Sequence, residues 1–123
     1  MPKNPDRGKG PILIVEDDVV ARDALVSILS QLGYSTIPVA TVAEGLERLN
    51  GQAFAILDLE LPDGLGTHVL SRIRNESRPI RVAVTTGTSD ARLLDEARRL
   101  KADLILRKPI NLSELLDWLE HAD

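Results

Sequence analysis

The sequence predicts an α/β fold, a five-stranded parallel sheet covered by helices on both faces. Two observations carry that prediction. Short apolar runs of strand length alternate five times with longer stretches whose apolar residues recur at helical spacing, the pattern of repeated βαβ units. Runs such as ILIV (12–15) and FAIL (54–57) are also apolar throughout rather than alternating, as befits strands buried on both sides. At 123 residues the chain is long enough for one domain with a full core and too short for two.

The elements follow in order. Residues 1–10, MPKNPDRGKG, are polar and rich in Pro, Gly and Lys, and read as a leader or linker ahead of a domain over 11–123. ILIV forms the first strand. Ala21, Leu25, Ile28 and Leu32 recur at helical spacing, and Gly33 supplies a C-terminal cap. Tyr34 to Val39 is the second strand. Thr41-Val-Ala-Glu44 is a capping box that opens a helix with Val42, Leu46 and Leu49 on one face, stopped by Asn50-Gly51. Strand 53–57 comes next, then a helix after Gly64 carrying Val69, Leu70 and Ile73. Arg81 to Val84 is the fourth strand, Asp90 to Leu100 a helix with Leu93, Ala97 and Leu100 aligned, and Asp103 to Leu106 the fifth strand. Asn111-Leu-Ser-Glu114 is a second capping box, opening a last helix with Leu112, Leu115, Leu116 and Leu119 on one face.

Composition narrows the function. Hydrophobic residues make up 43% and charged residues 28%, ordinary for a globular chain, while aromatics are only 2%, so the core must be built from aliphatic side chains. No stretch approaches a membrane span, and the N-terminus lacks the apolar segment of a signal peptide. Cysteine is absent, which removes disulfides and thiolate metal sites and makes a reducing cytoplasm the expected compartment. A net charge of −4 argues against direct nucleic-acid binding. Arg98-Arg99 and the Arg72/Arg74/Arg78 group read as solvated faces. His68 and His121 are expected on the surface, and Trp118 as a partly buried packing residue.

In an open parallel sheet, ligands bind outside the carboxyl ends of the strands. Glu16, Asp17 and Asp18 follow the first strand, Asp58 ends the third, Thr85-Thr86-Gly87 follow the fourth and Arg107-Lys108-Pro109 the fifth. Carboxylates without His or Cys make a hard, all-oxygen site suited to Mg²⁺. A lysine and a threonine beside them supply donors for phosphoryl oxygens, and an Asp carboxylate is a recognised nucleophile in phosphoryl transfer. Taken singly, the acidic triplet also reads as the first turn of a helix, favourable to its dipole.

ILIVEDD, ILDLELPDGLG, VTTG and KP, in this order and with helices between them, resemble the response-regulator receiver domain of two-component signalling. The resemblance covers about residues 11 to 122 and implies the flavodoxin-like arrangement with strand order 2-1-3-4-5. It implies that Asp58 accepts a phosphoryl group from a phosphohistidine on a histidine kinase or histidine phosphotransfer protein, so switching contacts with a downstream protein whose identity the sequence leaves open. It further implies Mg²⁺ held by Asp17 directly, by Glu16 through water, by Asp58 and by the main-chain carbonyl of Glu60. Lys108 would contact the phosphoryl group, and its bond to Pro109 is expected to be cis. The switch hydroxyl falls to Thr85 or Thr86. Thr86 beside Gly87 fits the family's apolar-apolar-Thr-small pattern better, as does its interval to Lys108. No enzymatic turnover is implied beyond self-phosphorylation and autodephosphorylation.

The sequence departs from the family at three places. Ile105 stands where the family commonly has Tyr or Phe, Lys101 stands where many receivers have Gly before the fifth strand, and Glu60 and Thr88 occupy variable positions flanking the site. Two rivals share some of the chemistry. A haloacid-dehalogenase-type phosphohydrolase also uses an Asp nucleophile with Mg²⁺ and Lys, but wants a second Asp two residues on, where this chain has Glu60. A receiver-like binding module without phosphorylation would have no need of Asp58, Asp17, Thr86 and Lys108 together.

Overall fold

The structure, a computed structural model, describes residues 10–121. The leader or linker expected over 1–10 lies outside the described residues except for Gly10. The elements run β1 (Ile12–Val15), α1 (Val19–Gln31), β2 (Thr36–Val39), α2 (Val42–Leu46), β3 (Phe54–Asp58), β4 (Glu60–Leu61), β5 (Gly64–Leu65), α3 (Thr67–Asn75), β6 (Arg81–Thr86), α4 (Ala91–Arg99), β7 (Leu104–Arg107) and α5 (Leu112–His121). Five strands form one parallel sheet in the order β2-β1-β3-β6-β7. With the small β4–β5 hairpin set aside, this is the flavodoxin-like 2-1-3-4-5 order.

Alternation along each strand divides the core in two. Leu13, Val15, Ala55, Leu57, Val82 and Val84 face the side covered by α2, α3 and α4, meeting Val69, Leu70, Ile73 and Ala97. Ile12, Ile14, Phe54, Ile56, Ala83 and Leu106 face α1 and α5, meeting Leu25, Leu29, Leu115 and Leu119. The central strands β1 and β3 are buried along their whole length, in keeping with apolar runs that carry no polar alternation. Trp118 packs edge-on against Phe54, with ring centroids 5.4 Å apart. At the sheet edge, β2 tolerates the exposed Pro38, which has no N–H to give to a ladder. Among the described residues no helix is long and apolar enough to cross a membrane.

Several expectations shift in register or length. On α1 the buried pair is Leu25 and Leu29, while Leu32 is 40% exposed. On α4 the sheet-facing residue is Leu94, with Leu93 and Leu100 half-buried, and on α5 Leu112 is exposed. A 100°-wide stripe admits either of two adjacent leucines, and packing selects one. Helix α2 stops at Leu46, short of Leu49, with its last turn tightened by the Glu47 and Arg48 N–H groups bonding to Glu44 and Gly45 three residues back. Strand β6 runs to Thr86 rather than Val84, because Thr85 pairs with Asp58 and Thr86 with Arg107.

Three helices end alike. In α1, α3 and α4 the N–H groups of the two residues after the cap bond back to carbonyls at the start of the last turn, and the first of those residues is left-handed. That residue is Gly33 after α1 but Ser77 after α3 and Lys101 after α4, with φ of 53° and 62° for the latter two. Arg74 holds the α4 corner in place. Its guanidinium donates to the carbonyls of Leu100, Ile80 and Lys101, the last at 2.7 Å, and to Asp103, whose carboxylate also accepts from Val82 N. Arg74 is therefore a strut under the sheet and not part of a solvated face.

A non-glycine residue in the left-handed region costs on the order of 1–2 kcal/mol, and glycine gives back about 0.5–1 kcal/mol of that as unfolded-state entropy. Lys101→Gly is expected to stabilise the domain by about 0.5–1 kcal/mol, roughly 2–5 °C in melting temperature. Thermal melts of wild type, Lys101→Gly and Lys101→Ala measure this. A glycine variant less stable than the alanine variant would show that the corner is unstrained.

Candidate functional site

The parallel register delivers the polar strand ends to one edge. Val15 lies opposite Leu57, so Glu16 follows β1 level with Asp58 at the end of β3, and Asp58 lies opposite Thr85 on β6. Glu16 is 3% exposed and Asp58 6%, whereas Asp17 is exposed. The Lys108 ammonium reaches both buried acids, donating to Glu16 Oε1 at 2.9 Å and to Asp58 Oδ2 at 3.0 Å. Burial works against the charge of Lys108, but hydrogen bonds to Glu16 and Asp58 and their negative charges outweigh it, holding the ammonium above its ordinary value. Lys108–Pro109 is cis.

The backbone completes the cradle. Asp58 Oδ1 accepts from Glu60 N at 3.1 Å, and Glu16 Oε2 accepts from Asp18 N at 3.1 Å. Asp18 caps α1 by accepting from Val20 N, so the acidic triplet divides its labour, with one acid serving the helix and two facing the site. Glu16, Asp17 and Asp58 each place a carboxylate oxygen within 4.8 Å of the others. Opposed ligands of an octahedral Mg²⁺ stand about 4.2 Å apart, so these three hard oxygen donors fit such an ion with little adjustment. The Glu60 side chain is exposed and stands apart from this group.

The two threonines take different places. Thr85 is the register neighbour of Asp58, and its carbonyl accepts from Leu59 N. Thr86 is fully buried, its carbonyl accepts from Lys108 N at 2.8 Å, and its hydroxyl accepts from Thr88 N at 2.9 Å. The chain of caps continues outward. Thr88 Oγ1 accepts from Asp90 N, and Asp90, the N-cap of α4, accepts from Arg92 N. Ile105 packs half-buried against the core on the α4 side. His68 and His121 are both exposed.

Two supports were not evident from the sequence. Asp63, in the Pro-Asp-Gly turn of the hairpin, accepts from Val42 N at 2.8 Å and Ala43 N at 3.1 Å. These bonds pull its carboxyl below the usual range and tie the loop after Asp58 to the start of α2. The sequence marked Asp63 only as a breaker, since a cap donated from 20 residues away leaves no local signal. Gly66 presses on the end of β3 itself, where an added Cβ would lie 2.0 Å from the Asp58 carbonyl oxygen. Its φ is an ordinary −60°, so space rather than backbone freedom demands glycine.

Two buried carboxylates bridged by a lysine, with the exposed Asp17 beside them, stand at the carboxyl edge of a doubly wound parallel sheet of the flavodoxin-like class. A family model, the response regulator receiver domain, matches residues 12–120, and the chain belongs to that family. Regulator of RpoS from Escherichia coli K12 is 36% identical over 101 residues, which is 80% of this chain and 30% of that protein. Sporulation initiation phosphotransferase F from Bacillus subtilis is 27% identical over 108 residues, covering 86% of this chain and 87% of its own length. Among solved structures, a CheY-like response regulator receiver domain protein from Methanospirillum hungatei aligns with a TM-score of 0.82 at 31% identity, over 89% of this chain and 90% of that one. The chain spans 30% to 57% of the length of several curated relatives it matches. It is a phosphoacceptor receiver domain of two-component and phosphorelay signalling.

Forcing a methyl group into a close-packed contact typically destabilises by about 1–3 kcal/mol, and here the obstacle is backbone. Gly66→Ala is expected to lower the melting temperature by at least roughly 5 °C and to reduce phosphorylation of the domain by displacing Asp58. Melting and labelling of the variant at wild-type levels would show that α3 can slide away from β3.

Proposed function

We propose that Asp58 is the phosphoacceptor, taking its phosphoryl group from the phosphohistidine of a histidine kinase or histidine phosphotransfer protein. The observation that carries this is the Lys108 ammonium bound at once to Glu16 and Asp58, with Asp17 within ligand distance of both. An Asp58 carboxylate oxygen attacks phosphorus in line. The new O–P bond forms as the N–P bond to the imidazole breaks, and the electron pair returns to the ring nitrogen. The Glu60 N–H steadies one Asp58 oxygen, and Lys108 neutralises charge on the transferring oxygens. Mg²⁺ is the expected metal, held by Asp17, Asp58, Glu16 and the main-chain carbonyl of Glu60. When bound it neutralises phosphoryl charge and orients the group. Thr86 provides the hydroxyl that meets the phosphorylated side chain. The proposed output is a changed contact with a downstream protein on the face made by α4, β7 and α5. The domain over 11–123 would work in the cytoplasm, without direct nucleic-acid contact and without turnover of small phosphate esters.

With acetyl phosphate and Mg²⁺, intact mass spectrometry is expected to show one added phosphoryl group on wild type, none in EDTA and none on Asp58→Asn. An undiminished yield in that variant would sink the assignment. The threonines are separated by a second measurement. Thr86→Ala should leave Asp58 labelling largely intact but shrink the amide chemical-shift response to beryllofluoride by more than half, while Thr85→Ala should change it little. The reverse pattern would transfer the role to Thr85.

A further inference from the structure

We propose that Arg22 is a positioning residue that clamps the acidic loop from behind and so aims Glu16 and Asp17 at Asp58. Arg22 Nη1 donates to the Glu16 carbonyl at 2.9 Å and reaches the Asp17 carbonyl at 3.5 Å. Residues 16–18 form the whole link between β1 and α1. The front of this link is fixed by Glu16 N on Val39 O and by Asp18 N on the Glu16 carboxylate. Its two successive carbonyls are fixed by Arg22.

The placement follows from helix geometry. Arg22 lies in the first turn of α1, its own N–H bonded to Asp18 O. Helical side chains point back toward the N-terminus, which here means over the loop that precedes the helix. A guanidinium suits the task because it is always charged and carries several coplanar donors, so one end can serve two neighbouring carbonyls. A rotation of the 16–17 peptide would swing the Asp17 carboxylate, which is exposed. Arg22 opposes that rotation.

The inference rests on the metal-binding role proposed for the acidic trio, and the two are separable. As a bare positive charge, Arg22 would repel a divalent cation, and its removal would tighten Mg²⁺ binding. As a clamp, its removal would loosen the loop and weaken binding. Its side-chain donors meet carbonyl oxygens rather than carboxylates, which favours the clamp.

The test compares wild type, Arg22→Ala, Arg22→Lys and Asp58→Asn by calorimetric titration with Mg²⁺ and by amide hydrogen exchange in EDTA. Loss of a group that orients metal ligands typically weakens affinity 10- to 100-fold, and we expect about tenfold for Arg22→Ala, with Arg22→Lys between it and wild type. In EDTA the Asp18 amide should exchange several-fold faster in Arg22→Ala, while the Leu29 amide, deep in α1, keeps its wild-type rate. The slower acetyl phosphate labelling of Arg22→Ala should recover at saturating Mg²⁺. Mg²⁺ binding by Arg22→Ala as tight as wild type or tighter would overturn the clamp, and so would an unchanged Asp18 exchange rate. A wild type that binds no Mg²⁺, or an Asp58→Asn variant that binds it equally well, would overturn the metal reading instead. The exchange measurement, made without metal, would still decide the clamp.

Discussion

One ammonium group holds together two acids that the chain places far apart. Lys108 lies 92 residues from Glu16 and 50 from Asp58, and its bonds to both span three strand ends of the sheet. Without it the arrangement would be hard to sustain. Two carboxylate charges within 4.8 Å of one another repel by at least about 3.5 kcal/mol at an effective dielectric of about 20, and three acids make three such pairs. Asp17 is exposed, so water screens its share, but Glu16 and Asp58 are buried and face one another across Lys108. The pocket remains short of positive charge, and that deficit is the physical basis for expecting a divalent cation there.

The scaffold meets this local strain with rigidity behind it. The strands that end at the site are apolar on both faces and packed between two helical layers, so their ends are fixed by the register of the whole sheet. The loops beyond them are then secured one by one. Asp63 fastens the hairpin after Asp58 to α2, whose own capping box joins Thr41 and Glu44. Gly66 lets α3 start directly against the Asp58 carbonyl. On the far edge of the sheet, Arg74 ties the α4 corner to β6 through carbonyl oxygens. Each device replaces loop freedom with directional hydrogen bonds or close packing.

How much of this a reader of the sequence can see depends on range. The five strands, five helices and polar strand ends were legible because hydrophobic periodicity and capping residues act over a few positions. Glu16, Asp17, Asp58 and Lys108 converge as their positions at strand ends require. What escaped was set by contacts from afar. Leu29 rather than Ile28 faces the sheet because α1 rotates to suit its neighbours. Thr85 and Thr86 join β6 because Asp58 and Arg107 stand ready to pair with them. The β4–β5 hairpin is two residues a side, too short for any alternation to register. Arg74 looked like part of a charged face, since nothing in its neighbourhood announces three carbonyls drawn from other elements.

The connection between the site and α4 follows from what a hydroxyl can do. Thr86 Oγ1 accepts the Thr88 N–H, but a hydroxyl has two lone pairs and one proton, so this bond leaves the proton available to donate. Under the proposed acceptor role, that proton is what a phosphorylated Asp58 would attract, and a shift of the oxygen would either carry the Thr88 N–H with it or break that bond. Thr88 in turn holds Asp90 through its own hydroxyl, and Asp90 caps α4. Three bonds of the same kind, each spanning two residues, thus run from the buried hydroxyl to the first turn of a helix on the proposed output face. Where related receivers commonly carry an aromatic ring, this chain has Ile105, a half-buried aliphatic side chain packed against the core on the α4 side with no polar group to exchange. The hydrogen-bonded ladder through Thr88 and Asp90 is therefore the polar connection from Thr86 to α4 among the described residues, and movement of α4 need not wait on a side-chain rotation at position 105.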